Sequence, residues 1–163
     1  MTDPADPSGP RPGETAVALP PAGDAQLRFI GRIETPFATR ADCPRQGDPD
    51  HGPDCLIHLD PVWLPALAGL EEVERLQVFY WLHEARRDLL TQRPRHASAA
   101  RGTFALRSPV RPNPIGLSTV RLLRRDGPVL VVRGLDCLSG TPLIDLKPLH
   151  CPHAAGRDAV GDA

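Results

Sequence analysis

The sequence predicts a mostly β fold, a compact barrel-like domain with one or two short helices and no Rossmann architecture. Three observations predict it. Apolar runs are short and bounded by Gly, Pro and Asp, with 14 glycines and 20 prolines in 163 residues. Asp126-Gly127, a favoured two-residue type I′ turn, separates two strand-like segments. No G-x-G-x-x-G, G-x-x-x-x-G-K-S/T or G-x-S-x-G occurs, so neither a Rossmann fingerprint, a P-loop nor a nucleophile elbow is present.

Taken in order, residues 1–25 are rich in Pro, Gly, Ala and Asp without periodicity, and are expected to be a disordered leader. One domain is expected over 26–153, with a flexible tail at 154–163. Leu27–Glu34 reads as a first strand, stopped by Thr35-Pro36. Residues 39–54 form a long loop, which in a small domain marks function or disorder. Cys55–Leu59 is a short strand. Asp60 and Pro61 then open a helix that should reach Ala68, with Gly69 ending it.

Residues 71–90 score as helix on propensity, yet Val78-Phe79-Tyr80-Trp81 suits a buried strand, and 76–83 is assigned as strand. Residues 92–102 are a basic loop, and Thr103–Leu106 a short strand. Leu117–Arg125 and Pro128–Leu135 flank the Asp-Gly turn as a hairpin. Gly140-Thr141-Pro142 is a turn, and Leu143–Leu146 the last strand.

The most constrained stretch is Ser108–Ser118, S-P-V-R-P-N-P-I-G-L-S. Pro109, Pro112 and Pro114 fix φ and hold Ser108, Arg111 and Asn113 extended, while Gly116 permits a turn or a close backbone approach. Arg111 and Asn113 are thereby presented on a stiff, non-helical segment.

Net charge is −1 but unevenly spread. Residues 86–125 hold ten arginines and one acid, Asp88. This clustering suits a polyanion or a charged cofactor, because guanidinium forks match phosphate and carboxylate. No apolar run is long enough for a membrane helix, and the N-terminus lacks the basic and apolar regions of a signal peptide, so a cytoplasmic protein is expected. The four cysteines, Cys43, Cys55, Cys137 and Cys151, lack C-x-x-C spacing and are read as inert thiols rather than metal ligands.

R-P-N-P-I-G-L-S (111–118), L-D-C-L-S-G-T-P-L-I-D-L-K-P (135–148), I-G-R-I-E-T-P-F (30–37) and C-P-R-Q (43–46) occur in that family's order and together resemble the TsaA-like (YaeB) family. That family includes the bacterial tRNA methyltransferase acting on N6 of threonylcarbamoyladenosine at position 37. The resemblance covers about residues 28–152. It implies a β-barrel-type fold, S-adenosylmethionine as cofactor and a homodimer.

Carried over motif by motif, the resemblance implies cofactor contacts from Pro44, Arg45, Gln46, His83, Arg107, Leu117, Asp136, Cys137, Leu138 and Ser139. Arg45 or Arg107 suits the carboxylate of the cofactor, and Asp136 its ribose hydroxyls or ammonium. Asp136, Asp145 and His83 are candidates for a base that takes the N6 proton. Arg93, Arg95, Arg101, Arg111 and Asn113 are candidates for holding tRNA.

Two alternatives remain open at the level of sequence. One keeps the cofactor and methylates a small molecule that is not tRNA. The other is a non-enzymatic cofactor- or metal-binding interaction domain. Here His83-Glu84 stands where the family often has H-Q, and D-L-K-P-L where it has D-I-K-P-Y.

Overall fold

Glycine contacts and alternating burial build a closed barrel from six strands. The computed structural model describes residues 9–21, 23, 25–94 and 97–150. Nine strands are assigned among them: β1 (Thr15–Ala16), β2 (Gly31–Glu34), β3 (Asp54–Leu59), β4 (Arg75–Trp81), β5 (Leu89–Gln92), β6 (Arg101–Gly102), β7 (Ile115–Asp126), β8 (Val129–Arg133) and β9 (Pro142–Pro148). They belong to two compact units. One comprises Gln26–His83 with Gly116–Ala163, and the other Met1–Ala25 with Glu84–Ile115.

The larger unit holds the barrel, in the strand order β2-β3-β8-β7-β4-β9. The pairs β2–β3, β2–β9, β3–β8, β4–β9 and β7–β8 are antiparallel. Strand periodicity sorts the side chains. In β4, Leu76, Val78 and Tyr80 are buried while their neighbours are half-buried. In β3, Cys55, Ile57 and Leu59 point the same way. These residues join Ile33, Val120, Leu130, Val132 and Leu143 in one apolar core. Burying each large aliphatic side chain contributes about 1.5–3 kcal/mol.

The expected hairpin is present: β7 and β8 pair, and Gly127 between them has φ of 59°. Strand at 76–83 is also present, as β4, which ends at Trp81. Burial outweighs helix propensity here, because every second side chain enters the core.

Several expectations are corrected. The strand expected at Leu27–Glu34 is β2, Gly31–Glu34, shorter because Leu27 and Phe29 are exposed. The helix at Pro61 is a 3-10 helix ending at Leu67, because Pro65 inside it has no N–H for an α-helical bond. Its predicted end at Gly69 is met by a left-handed residue, φ 82°. Thr103–Ala105 is a 3-10 turn rather than a strand. There Thr103 Oγ1 donates to the Leu89 carbonyl at 2.7 Å and accepts from Gln92 Nε2 at 2.9 Å. Side-chain bonding to β5 thus takes the place of a backbone ladder here.

The smaller unit is a three-stranded sheet in the order β1-β5-β6. Its strand β1 lies in the stretch read as leader: the Thr15 N–H donates to Thr91 Oγ1, and Arg11 pairs with Glu14. The residues read as a basic loop, 92–102, begin in β5 and end in β6. The segment 107–114 is neither helix nor strand, as its prolines require.

Candidate cofactor site

At the centre of the site is Asp136, in the stretch that follows β8. Its Oδ1 accepts from the Tyr80 hydroxyl at 2.5 Å and from the Ser118 hydroxyl at 2.8 Å. The two hydroxyl oxygens are themselves 2.8 Å apart. Tyr80 comes from β4 and Ser118 from β7, so barrel closure brings these groups together from three segments. Tyr80 is 3% exposed. Burial, and then the Asp136 carboxylate, raise the phenol pKa, so Tyr80 remains a proton donor.

Gly116 makes this arrangement possible. A Cβ at that position would lie 2.0 Å from Cε2 of Tyr80. The glycine of R-P-N-P-I-G therefore serves close approach to an aromatic face, with no positive φ involved.

The turn 136–141 is tied to the end of β2. The Ser139 N–H donates to the Phe37 carbonyl at 2.9 Å, and the Gly140 N–H to that of Ile33 at 2.8 Å. Thr35 Oγ1 donates to the Cys137 carbonyl at 2.9 Å. The Leu138 carbonyl accepts from the Thr141 hydroxyl at 2.7 Å. Thus Asp136, Cys137, Leu138 and Ser139, all singled out in sequence, sit on one rigid turn. Cys137 is buried and its thiol is pushed up to about 12, chiefly by burial. The residue supports the turn as a neutral side chain.

Pro44, Arg45 and Gln46 are exposed on the long loop. Gly47, next in sequence, lies against Gly134: a Cβ there would meet the Gly134 carbonyl oxygen at 1.7 Å. Gly134, two residues before Asp136, has φ of 113°. Glycines in both segments bring the 44–46 loop beside the Asp136 turn. The Asp136 charge also reaches Cys43, where it adds to burial in raising the thiol pKa. The loop is ordered by its own acids. Asp42 Oδ2 accepts from Thr39, and Asp48 Oδ1 from the N–H groups of Asp50 and His51.

Leu117 is exposed on β7, one residue before Ser118. His83 is exposed two residues beyond the end of β4. Asp145 is placed elsewhere. It pairs across the sheet with Phe79, next to Lys147, whose ammonium lies 5.4 Å from the Phe79 ring centroid. Phe79 and Tyr80 point to opposite faces of β4, so Asp145 lies on the face away from Asp136.

The remaining predicted residues belong to the smaller unit. Arg107 is there, just before the proline-rich segment that leads into β7. Arg101 is exposed on β6. Arg111 donates to the Leu106 carbonyl at 2.7 Å, and its guanidinium lies 5.9 Å from the centroid of Phe104, which is 80% exposed. Asn113 is exposed, and Arg93 Nε approaches the Ala97 carbonyl. Arg95 lies outside the described residues, as does Cys151. Among the described residues no three His, Cys, Asp or Glu side chains are grouped to hold a metal ion.

Tyr80 and Ser118 were not singled out from sequence as site residues. A phenol among apolar strand residues gives one signal, since a buried hydroxyl needs a partner. The identity of that partner is a product of the fold.

Residues 32–153 match the model of the tRNA-methyltransferase O N-terminal domain. The chain belongs to that family. This member of the TrmO N-terminal family is 51% identical over 138 residues to the probable S-adenosyl-L-methionine-binding protein VirR of Rhizobium radiobacter, covering 85% of this chain and 78% of VirR. It is 44% identical to a probable S-adenosyl-L-methionine-binding protein of Methanothermobacter thermautotrophicus, covering 78% of this chain and 91% of that one. It is 33% identical to the mouse tRNA (adenine(37)-N6)-methyltransferase, over 78% of this chain and 31% of the mouse protein.

Among solved structures, TrmO from Pseudomonas aeruginosa superposes with a TM-score of 0.63 at 33% identity, over 86% of this chain and 61% of that chain. A second TrmO structure gives 0.66 at 36% identity, over 86% and 62%. The chain thus spans about three fifths of the TrmO chains whose fold it shares. The expected barrel and the expected family are both borne out.

Proposed function

We propose that this chain binds S-adenosylmethionine and methylates N6 of threonylcarbamoyladenosine at position 37 of tRNA. The observation that carries the reading is the rigid 136–139 turn beside the 44–46 loop, in a member of the TrmO family. The residues fit the cofactor. Asp136 Oδ2 has no hydrogen-bond partner among the described residues and is an acceptor for its donor groups. Arg45 supplies an exposed guanidinium for its carboxylate. Pro44, Gln46, Leu117, Cys137, Leu138 and Ser139 complete the proposed contacts, and Arg107 is assigned by its place in the motif.

When bound, the cofactor supplies an electrophilic methyl group. The chain's own part is positioning. A turn fixed by hydrogen bonds to the end of β2 and within itself, and a loop fixed by a glycine contact, limit the freedom of whatever they hold, and alignment of this kind lowers a displacement barrier. Asp136, His83 and Asp145 are the candidates for removing the proton from the carbamoylated N6, with Asp136 favoured by its place on the 136–139 turn. Arg93, Arg95, Arg101, Arg111 and Asn113 are proposed to take tRNA phosphates, in a homodimer with cytoplasmic residence.

The test uses purified protein, S-adenosylmethionine and tRNA from a strain lacking this N6-methyl group. Digestion and mass spectrometry should show N6-methylated threonylcarbamoyladenosine. Cofactor binding without that product would favour a different acceptor. Loss of both would overturn the enzymatic reading.

A further inference from the structure

Resting on that cofactor reading, we propose that Tyr80 is a positioning residue: with Ser118 it secures one carboxylate oxygen of Asp136 and leaves the other for the ammonium group of the cofactor.

Each hydroxyl carries one proton, and the ionised carboxylate is the acceptor without a proton of its own. Both protons therefore converge on Oδ1, at 2.5 and 2.8 Å, and the Tyr80–Ser118 contact shares one of them. This fixes the carboxylate through charge-assisted bonds. It does not neutralise it. No Arg, Lys or His is within salt-bridge distance of Asp136 among the described residues. A half-buried, hydrogen-bonded but uncompensated carboxylate complements a cation.

The cofactor has two cationic centres, the ammonium and the sulfonium. Only the ammonium donates hydrogen bonds, and Oδ2 is an acceptor. Tyr80 cannot itself reach solvent to act as a ligand, being almost fully buried under the close backbone of Gly116. Its role runs through Asp136.

The experiment measures dissociation constants by competition against labelled S-adenosylmethionine. The ligands are S-adenosylmethionine, S-adenosylhomocysteine and the deaminated analogue of S-adenosylhomocysteine. Wild type is compared with Tyr80→Phe, with thermal melts confirming that the variant is folded. Tyr80→Phe should weaken both amino-bearing ligands by about tenfold, the scale of one charge-assisted hydrogen bond, and the deaminated ligand by no more than about twofold. If Tyr80→Phe fails to fold, Ser118→Ala carries the same expectation.

Equal weakening of all three ligands would mean general loosening of the site, and would overturn the proposal. No weakening, or weakening confined to the sulfonium-bearing ligand, would overturn it too. Failure of wild type to bind S-adenosylmethionine would instead remove the cofactor reading on which the proposal stands.

Discussion

Gly116 and Tyr80 are locked in contact, with the space for a Cβ on one already filled by the ring of the other, 2.0 Å away. Because Tyr80 is in the core, its ring has no solvent to move into. Gly116→Ala should therefore lower stability by about 1–3 kcal/mol, the usual cost of overpacking. It should also detach the phenol from Asp136. Urea unfolding measures the first effect, and cofactor titration the second. A variant as stable as wild type would show that the ring relocates freely.

Gly47 and Gly140 offer a contrast within the same site. A Cβ on Gly47 collides with the Gly134 carbonyl, whereas a Cβ on Gly140 meets nothing within 4 Å. Gly140→Ala suffers only the strain of its φ of 85°, about 1–2 kcal/mol. Gly47→Ala should displace the 44–46 loop and weaken cofactor binding at least tenfold, while Gly140→Ala changes it less. Paired calorimetric titrations of the two variants check the order.

Burial raises the thiol pKa of Cys55 to about 11 and that of Cys137 to about 12. An unfolded thiol ionises near 8.5. Both thiols are then neutral in the folded chain when the unfolded chain already releases protons. Stability from this source is full below about pH 8.5 and declines as pH rises toward 11–12. Denaturation midpoints at pH 7.5 and 10 should show the later one lower. A Cys55→Ser, Cys137→Ser variant should show a smaller pH-dependent difference.

Arginine in the smaller unit sets a salt prediction. If Arg93, Arg101 and Arg111 hold tRNA phosphates, each replaced by Ala should reduce the slope of log affinity against log salt by about 1. Arg111→Ala should also lower the affinity itself more than the other two, because it removes the guanidinium from Phe104 and from the Leu106 carbonyl. Filter binding of tRNA across salt concentrations reads both. An unchanged slope in all three variants would place the RNA contact elsewhere.

Much of the barrel was legible because its signals are local. Asp126-Gly127 fixes a hairpin within two residues, and β4 shows its alternation directly in sequence. The 3-10 character of 61–67 was readable from Pro65 but was outweighed by the capping pattern at Asp60, whose side chain makes no cap bond. Thr103 was misread because its partners, Leu89 and Gln92, come from another strand.

The site divides in the same way. Asp136 and its turn carry a recognisable motif, while Tyr80 lies 56 residues from the carboxylate it bonds. A pairing at that separation is decided by strand order, which a single sequence does not display. Asp145 shows the converse. It is a carboxylate in a distinctive motif, yet the register of β9 against β4 puts it beside Phe79 rather than with Tyr80 and Asp136.

The most direct test of the account is a crystal structure of the protein with S-adenosylhomocysteine. The account predicts the ligand on the 136–139 turn, with its ammonium within hydrogen-bond distance of Asp136 Oδ2 and the Tyr80 and Ser118 hydroxyls still on Oδ1. A ligand bound away from this turn, or an Asp136 carboxylate rotated off Tyr80 and Ser118, would contradict it.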